Sequence, residues 1–189
     1  MAIVNSHRDQ NPEDRMPTPD RTSLPAIVAA GRGILEENGP AGVTMQAVAA
    51  RVGVRAPSLY KRVRDRDALL SAVTQAIADD LTERLERTDG GLAGIAGAYR
   101  GFAHDQPEGF RLLFTSSAPP EALRETARPV LRACEALVGA DDALDAARLF
   151  TAWSTGFLQM ELSGAFRLGG DVDAAFDYAT QRIIRALTA

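Results

Sequence analysis

Apolar residues recur at helical spacing through almost the entire chain, and no stretch alternates with the period of two that a strand needs. Ile27, Val28, Gly31, Ile34 and Leu35 form the first stripe, and Leu70, Val73, Ile77, Leu81 and Leu85 form another. A third runs through Leu92, Ile95, Ala96, Tyr99, Phe102 and Ala103, and a last one through Val172, Ala175, Phe176, Ala179, Ile183, Ile184 and Leu187. The expected fold is therefore all-α, with about nine helices packed side by side. Although 46% of the 189 residues are apolar, Arg, Asp, Glu or Gly breaks every run well short of the roughly 18 residues that a bilayer helix requires. A chain this long buries about 70% of its unfolded surface when folded as one unit, so it needs no staple. Cys134 is the single cysteine, and no His-rich or Cys-rich cluster suggests a metal.

Punctuation residues divide the pattern into elements. Residues 1–21 are polar, contain Pro12, Pro17 and Pro19, and carry no apolar signal-peptide core, so a disordered arm and a cytoplasmic protein are expected. Thr22 or Ser23 can cap a first helix over about 23–38, with Pro25 in its first turn and Asn38-Gly39-Pro40 at its exit. Thr44 caps a second helix over 45–52, and Gly53 supplies the positive φ of a tight turn. A third opens at Pro57 and runs about one and a half turns, with Leu59 and Val63 facing inward. Asp65 caps a longer fourth helix that Thr88-Asp89-Gly90-Gly91 ends, and a domain boundary is expected at that Gly pair.

Farther along, Pro107 starts a short sixth helix and Pro119-Pro120 a seventh, in which Pro129 should kink or split the backbone. An eighth helix is expected over 142–166, closed by Gly169-Gly170, and a ninth over about 172–187.

Charge is unevenly distributed. The whole chain carries −4, but residues 22–64 carry +4 and residues 65–189 carry −7. One basic surface on an acidic protein suits a polyanion, and it also suits an ordinary solvated face.

A short helix, a Gly turn and a second short helix make the helix-turn-helix arrangement, whose second helix offers side chains to base edges while its neighbours grip phosphates. The string VTMQAVAARVGVRAPSLYKRVRDRDALL, residues 43–70, resembles the DNA-binding region of the tetracycline-repressor (TetR) family. That resemblance covers the first four helices, from about Ser23 to Leu85. It implies a homodimer that binds double-stranded operator DNA with its N-terminal helices and a small effector with its C-terminal ones. The chain would then divide into a tail (1–21), a DNA-binding domain (22–68) and a ligand-binding and dimerisation domain (69–189).

By resemblance, Thr44 is a cap whose hydroxyl also reaches a phosphate, and Gln46 faces a base. Ala56, Pro57 and Ser58 open the recognition helix, Tyr60 is an aromatic phosphate contact, and Arg66 is a phosphate clamp. Two departures stand out. Arg55 occupies a place where the family usually has Ser or Thr, and Lys61-Arg62 replaces the common His after the Tyr. Leu59, Tyr60 and Val63 also suit a purely structural mini-core.

The second half resembles the family less specifically. WSTGFLQMELSGAF, residues 153–166, is similar to a C-terminal domain type marked by a Trp-His-Gly motif, with Thr155 standing where the His would be. If so, Phe102, Phe110, Phe114, Trp153, Phe157 and Met160 line an apolar cavity anchored by Thr155, Gln159 or His104, unless these aromatics simply fill the core. The effector implied is apolar. Catalysis finds little support, because His7 lies in the tail and His104 stands alone, which leaves no triad and no cofactor motif. Gly31-Arg32-Gly33 follows no strand and lacks a third Gly. A helical scaffold or an all-α enzyme is the competing class, and either requires the basic surface to be accidental.

Overall fold

The computed structural model describes residues 23–115 and 119–188, and the expected disordered arm over 1–21 and the candidate cap Thr22 lie outside them. Among the described residues there are nine helices and no strand. The first, α1 (Leu24–Gly42), is capped by Ser23, whose hydroxyl accepts the Ala26 N–H at 3.3 Å. The expected exit is present as a break at Gly39 (φ 67°), after which Pro40 carries the chain through one further turn.

Helices α2 (Met45–Val52) and α3 (Ala56–Leu59) follow at once. Gly53 sits between them at φ 76°, a left-handed conformation that a side chain would strain. Although α3 is only four residues long, the Val63 N–H still bonds the Leu59 carbonyl at 2.9 Å, so the helical path continues for about another turn, as the Leu59/Val63 spacing predicts. Ile27, Leu35, Val48, Leu59, Leu69 and Val73 are fully buried together and form the core of this N-terminal head. Each side chain of that size contributes about 1.5–3 kcal/mol on burial. Close packing fixes one position, since a Cβ on Gly31 would lie 2.7 Å from Cγ2 of Val73, whose side chain fills the space against the first helix there.

Helix α4 (Arg66–Glu86) starts in the head and continues beneath the rest of the molecule, with Asp65 Oδ1 accepting the Ala68 N–H at 2.8 Å as its cap. The remaining elements are α5 (Leu92–Asp105), α6 (Pro107–Leu112), α7 (Pro120–Val138), α8 (Ala143–Leu162) and α9 (Val172–Leu187). Helix α4 packs on α5, α6 and α7, α7 packs on α8, and α9 closes over α5 and α8.

Two boundary expectations are corrected. Pro129 does not split α7, which runs unbroken from Pro120 to Val138 with Pro129 buried within it. The ring's fixed φ of about −65° is already helical, and what it removes is one hydrogen bond in a helix clamped between two neighbours. Helix α8 ends at Leu162 and not at 166, because Gly164 (φ 66°) turns the chain and the Ala165 N–H bonds back to the Met160 carbonyl at 2.9 Å. The Gly169-Gly170 pair lies in the following connection.

Candidate nucleic-acid interface and effector cavity

The helix-turn-helix is built by local chemistry. Thr44 Oγ1 accepts the Ala47 N–H at 3.1 Å, which caps α2 and holds Gln46 exposed on its first turn. Such a cap stabilises a helix by about 1 kcal/mol. Arg55 occupies the N-cap of α3 without a side-chain hydrogen bond, so its guanidinium projects from an exposed position. Pro57, Tyr60, Lys61 and Arg62 are exposed, Ala56 and Ser58 are half-buried, and Leu59 is buried beneath them. Tyr60 is 55% exposed, so the mini-core role falls to Leu59 and Val63 and leaves the phenol outward.

Arg66 has a structural task that the resemblance did not suggest. Its Nε donates to the Val43 carbonyl at 2.9 Å and its Nη2 to the Pro40 carbonyl at 2.6 Å, which ties the α1–α2 connection to the start of α4. Arg64, exposed and bonded to Asp65 at 2.7 Å, is a further cation of this surface, counted in the basic segment but given no role from sequence.

The head is locked to the body by two polar contacts. In one, the Glu36 carboxylate of α1 caps α6, with Oε1 accepting the Gly109 N–H at 2.7 Å and Oε2 the Glu108 N–H at 3.1 Å. In the other, Asp80 of α4 is the centre of a cluster. Arg32 Nη2 donates to Asp80 Oδ2 at 2.6 Å and to Gln106 Oε1 at 2.7 Å, while Gln106 Nε2 donates to Asp80 Oδ2 at 2.7 Å and Arg84 Nε to Asp80 Oδ1 at 3.2 Å. Burial alone would push the Asp80 carboxyl up, but the hydrogen bonds from Gln106, Arg32 and Arg84 outweigh it and hold the group below its ordinary value. Arg32 and Glu36, four apart on α1, look in the sequence like a helix ion pair, yet each reaches a different partner.

A cavity of about 250 Å³ lies between α4, α5, α7 and α8. Leu81 and Leu85 of α4 and Ile95 and Tyr99 of α5 form one wall, and Leu113 and Phe114 close the end beyond α6. Helix α7 contributes Leu123, Thr126, Ala127 and Val130, and α8 contributes Phe150, Thr151 and Ser154. Of the residues expected to line such a cavity, Phe114 alone lines this one.

Phe110 is fully buried behind the wall, 5.5 Å ring to ring from both Tyr99 and Phe114, and Phe102 is buried with the Arg84 guanidinium 5.5 Å from its ring. Trp153 and Phe157 join Phe176 and Phe166 in an aromatic cluster that seats α9, with Trp153 stacked on Phe176 at 5.5 Å and 5.9 Å from Phe150 of the cavity wall. Thr155 bonds the Tyr99 hydroxyl at 3.0 Å and so touches the site only through it. Gln159 is half-buried one turn farther along α8, and Met160 is exposed on its outer side. His104 lies outside the cavity, 3.2 Å from Glu161. Four helices meet at the cavity, and Trp153 and Phe157 mark a different place, the α8–α9 seam. One signal did point to the correct wall: Thr126 lies on the apolar face of α7, between Ala122 and Val130 at four-residue steps.

Two stretches of the chain match known families. Residues 27–73 match the family described as bacterial regulatory proteins, tetR family, and residues 92–183 match the tetracyclin repressor-like, C-terminal domain. An uncharacterized HTH-type transcriptional regulator of Mycobacterium tuberculosis is 30% identical over 171 residues, covering 84% of this chain and 78% of that protein. The class A tetracycline repressor protein from transposon 1721 of Escherichia coli is 32% identical over 158 residues, 79% of this chain and 73% of the relative.

Among solved structures, a protein of unknown function from Rhodococcus sp. RHA1 has the same fold with a TM-score of 0.77 and 24% identity, over 95% of this chain and all (100%) of its own. A TetR variant from Acinetobacter baumannii AYE in complex with minocycline has a TM-score of 0.65 and 23% identity, over 87% of this chain and 95% of that one. With its helix-turn-helix head, its helical body and both family matches in register, the chain belongs to the tetR family of bacterial regulatory proteins and is a DNA-binding transcriptional regulator.

Proposed function

We propose that the protein is a homodimeric repressor that holds a roughly palindromic operator with its two heads and releases it when an apolar small molecule occupies the cavity. The observation that carries this reading is the double duty of α4. Its first turn anchors the helix-turn-helix through Arg66, and its later turns supply Leu81 and Leu85 to the cavity wall. An effector releases DNA only if it binds the DNA-incompetent arrangement more tightly than the competent one. The cap that Glu36 of α1 places on α6 and the Asp80 cluster are the contacts through which a shift in the body reaches the head. Thr44, Gln46, Arg55, Ala56, Pro57, Ser58, Tyr60, Lys61, Arg62 and Arg66 form the operator-facing set. Gln46 and the start of α3 serve base edges, and the cations and Tyr60 serve phosphates.

Dimerisation is assigned to α8 and α9. On α8, Leu149, Ala152, Gly156 and Met160 recur at helical spacing and are all exposed, and on α9 Ile183, Ile184 and Leu187 stay partly open. A twofold pair of these helices forms a four-helix interface and sets the two heads about 34–36 Å apart, or a multiple of that, for successive turns of DNA. The relatives' link to tetracycline and minocycline supports a small-molecule effector in general and does not name this one.

The deciding experiment is footprinting on the DNA flanking the gene. A protected palindrome of operator size supports the reading, and no protection at any fragment favours the helical scaffold or enzyme instead.

A further inference from the structure

We propose that the cavity selects an uncharged ligand whose apolar body carries one hydrogen-bond acceptor, such as a ketone, ester or ether, and that the Tyr99 phenol is the donor that orients it. The inference rests on the effector reading above and specifies the chemistry of the same site.

Among the described residues, no Lys, Arg, His, Asp or Glu lines the cavity. A carboxylate or ammonium entering it would lose its hydration and gain no opposite charge, which costs far more than the contacts return. The hydroxyls of the wall are mostly committed to the protein itself. Ser154 Oγ donates to the Phe150 carbonyl at 2.9 Å, and Thr126 Oγ1 lies 2.9 Å from the Ala122 carbonyl and 3.0 Å from Thr82 Oγ1. Thr151 stands at the exposed rim.

Tyr99 differs from these. Its hydroxyl and that of Thr155 lie 3.0 Å apart and share one hydrogen bond, although they carry two protons between them. When Thr155 donates to Tyr99, the phenol proton remains for an acceptor in the cavity. The ring carrying it is fixed by Phe110, 5.5 Å away centre to centre. Burial pushes the phenol up to about 12, only partly offset by the Thr155 hydrogen bond, so it stays a neutral donor at physiological pH. At about 250 Å³ the space suits a molecule of two or three rings, below the usual range for drug-sized ligands.

The test is a fluorescence titration of the full chain with three naphthalene probes. Prodan is a neutral ketone, N-phenyl-1-naphthylamine is neutral without a carbonyl, and 1-anilinonaphthalene-8-sulfonate is the same skeleton bearing an anion. Prodan is expected to bind once per chain, and Tyr99→Phe to weaken it about five-fold, the weight of one neutral hydrogen bond. The same variant should leave N-phenyl-1-naphthylamine unchanged, which shows that the cavity is intact. The sulfonate should bind at least about ten-fold more weakly than its neutral counterpart, and Ala127→Lys, at an exposed lining position, should narrow that gap.

Equal affinity for the sulfonate, Prodan binding indifferent to Tyr99→Phe, or no uptake of either neutral probe overturns the proposal. Operator binding by the same preparation keeps the two readings separate. A chain that protects DNA but takes up no neutral probe refutes the ligand chemistry alone, and one that binds Prodan through Tyr99 but no DNA refutes the repressor reading alone.

Discussion

Lys61 and Arg66 carry the same charge near the same surface, and their environments give them different work. Lys61 is exposed beside Tyr60, whereas Arg66 is half-buried and bonded to two backbone carbonyls. Lys61→Ala should therefore leave the unfolding temperature unchanged and reduce the dependence of log affinity on log salt by about 0.9, one phosphate's worth, in anisotropy titrations at several salt concentrations. An unaltered slope would remove Lys61 from the interface. Arg66→Ala should instead destabilise the fold by about 1.5–3 kcal/mol in urea titration, since charge-assisted bonds to carbonyls are lost. Gly31 gives a second test at this scale. Gly31→Ala places a methyl 2.7 Å from Val73 and should destabilise by about 1–3 kcal/mol, with Val73→Ala in the same chain restoring part of the loss. If the double variant melts no higher than Gly31→Ala alone, the clash lies elsewhere.

At the scale of elements, α1, α4 and α6 are joined by polar contacts as much as by packing. Because Asp80 is held below its ordinary carboxylate value, it binds protons less readily folded than unfolded. Its stabilisation is fully present above that ordinary value of 3.8 and is lost as pH falls through the lowered folded value. Glu161 behaves alike: burial raises it, but hydrogen bonds from Arg100 and His104 lower it further, below its usual 4.5. Acid unfolding should thus steepen below about pH 4, and Asp80→Asn should flatten the steepening in calorimetry across that window. An identical pH profile for the variant would show that the cluster does not couple to folding. Removing both locks, with Glu36→Ala and Asp80→Asn together, should split a single thermal transition into two as the head melts apart from the body.

On the scale of the whole molecule, the proposed twofold contact runs along the exposed stripe of Leu149, Ala152, Gly156 and Met160. Gly156→Arg places a charge where a Cβ meets nothing within 4 Å of the protomer itself, so the fold should survive and the dimer should not. Sedimentation at micromolar concentration is expected to show a dimer for the native chain and a monomer for the variant, with operator affinity falling as the heads become independent. A native monomer would refute the interface.

Local chemistry made the head legible from sequence. The caps at Thr44 and Asp65, the turn at Gly53 and the stripes of α1, α4 and α9 depend on residues within a few positions of one another, and α2 and α9 begin and end where those signals place them. The resemblance over residues 43–70 added the family. Tertiary structure decided the rest, for reasons the sequence does not carry. The cavity wall is assembled from helices far apart in the chain, so Trp153 and Phe157, which stand out in sequence, proved to be the seam between α8 and α9, while ordinary leucines, Tyr99, Phe114 and Phe150 became the lining. Pro129 stays within a helix because neighbouring helices clamp it, and Arg32, Glu36 and Asp80 become a lock only when α1 is laid across α4 and α6. Periodicity and capping act over a few residues and determine the elements, whereas a cavity or a lock is a relation between elements and exists only once they pack.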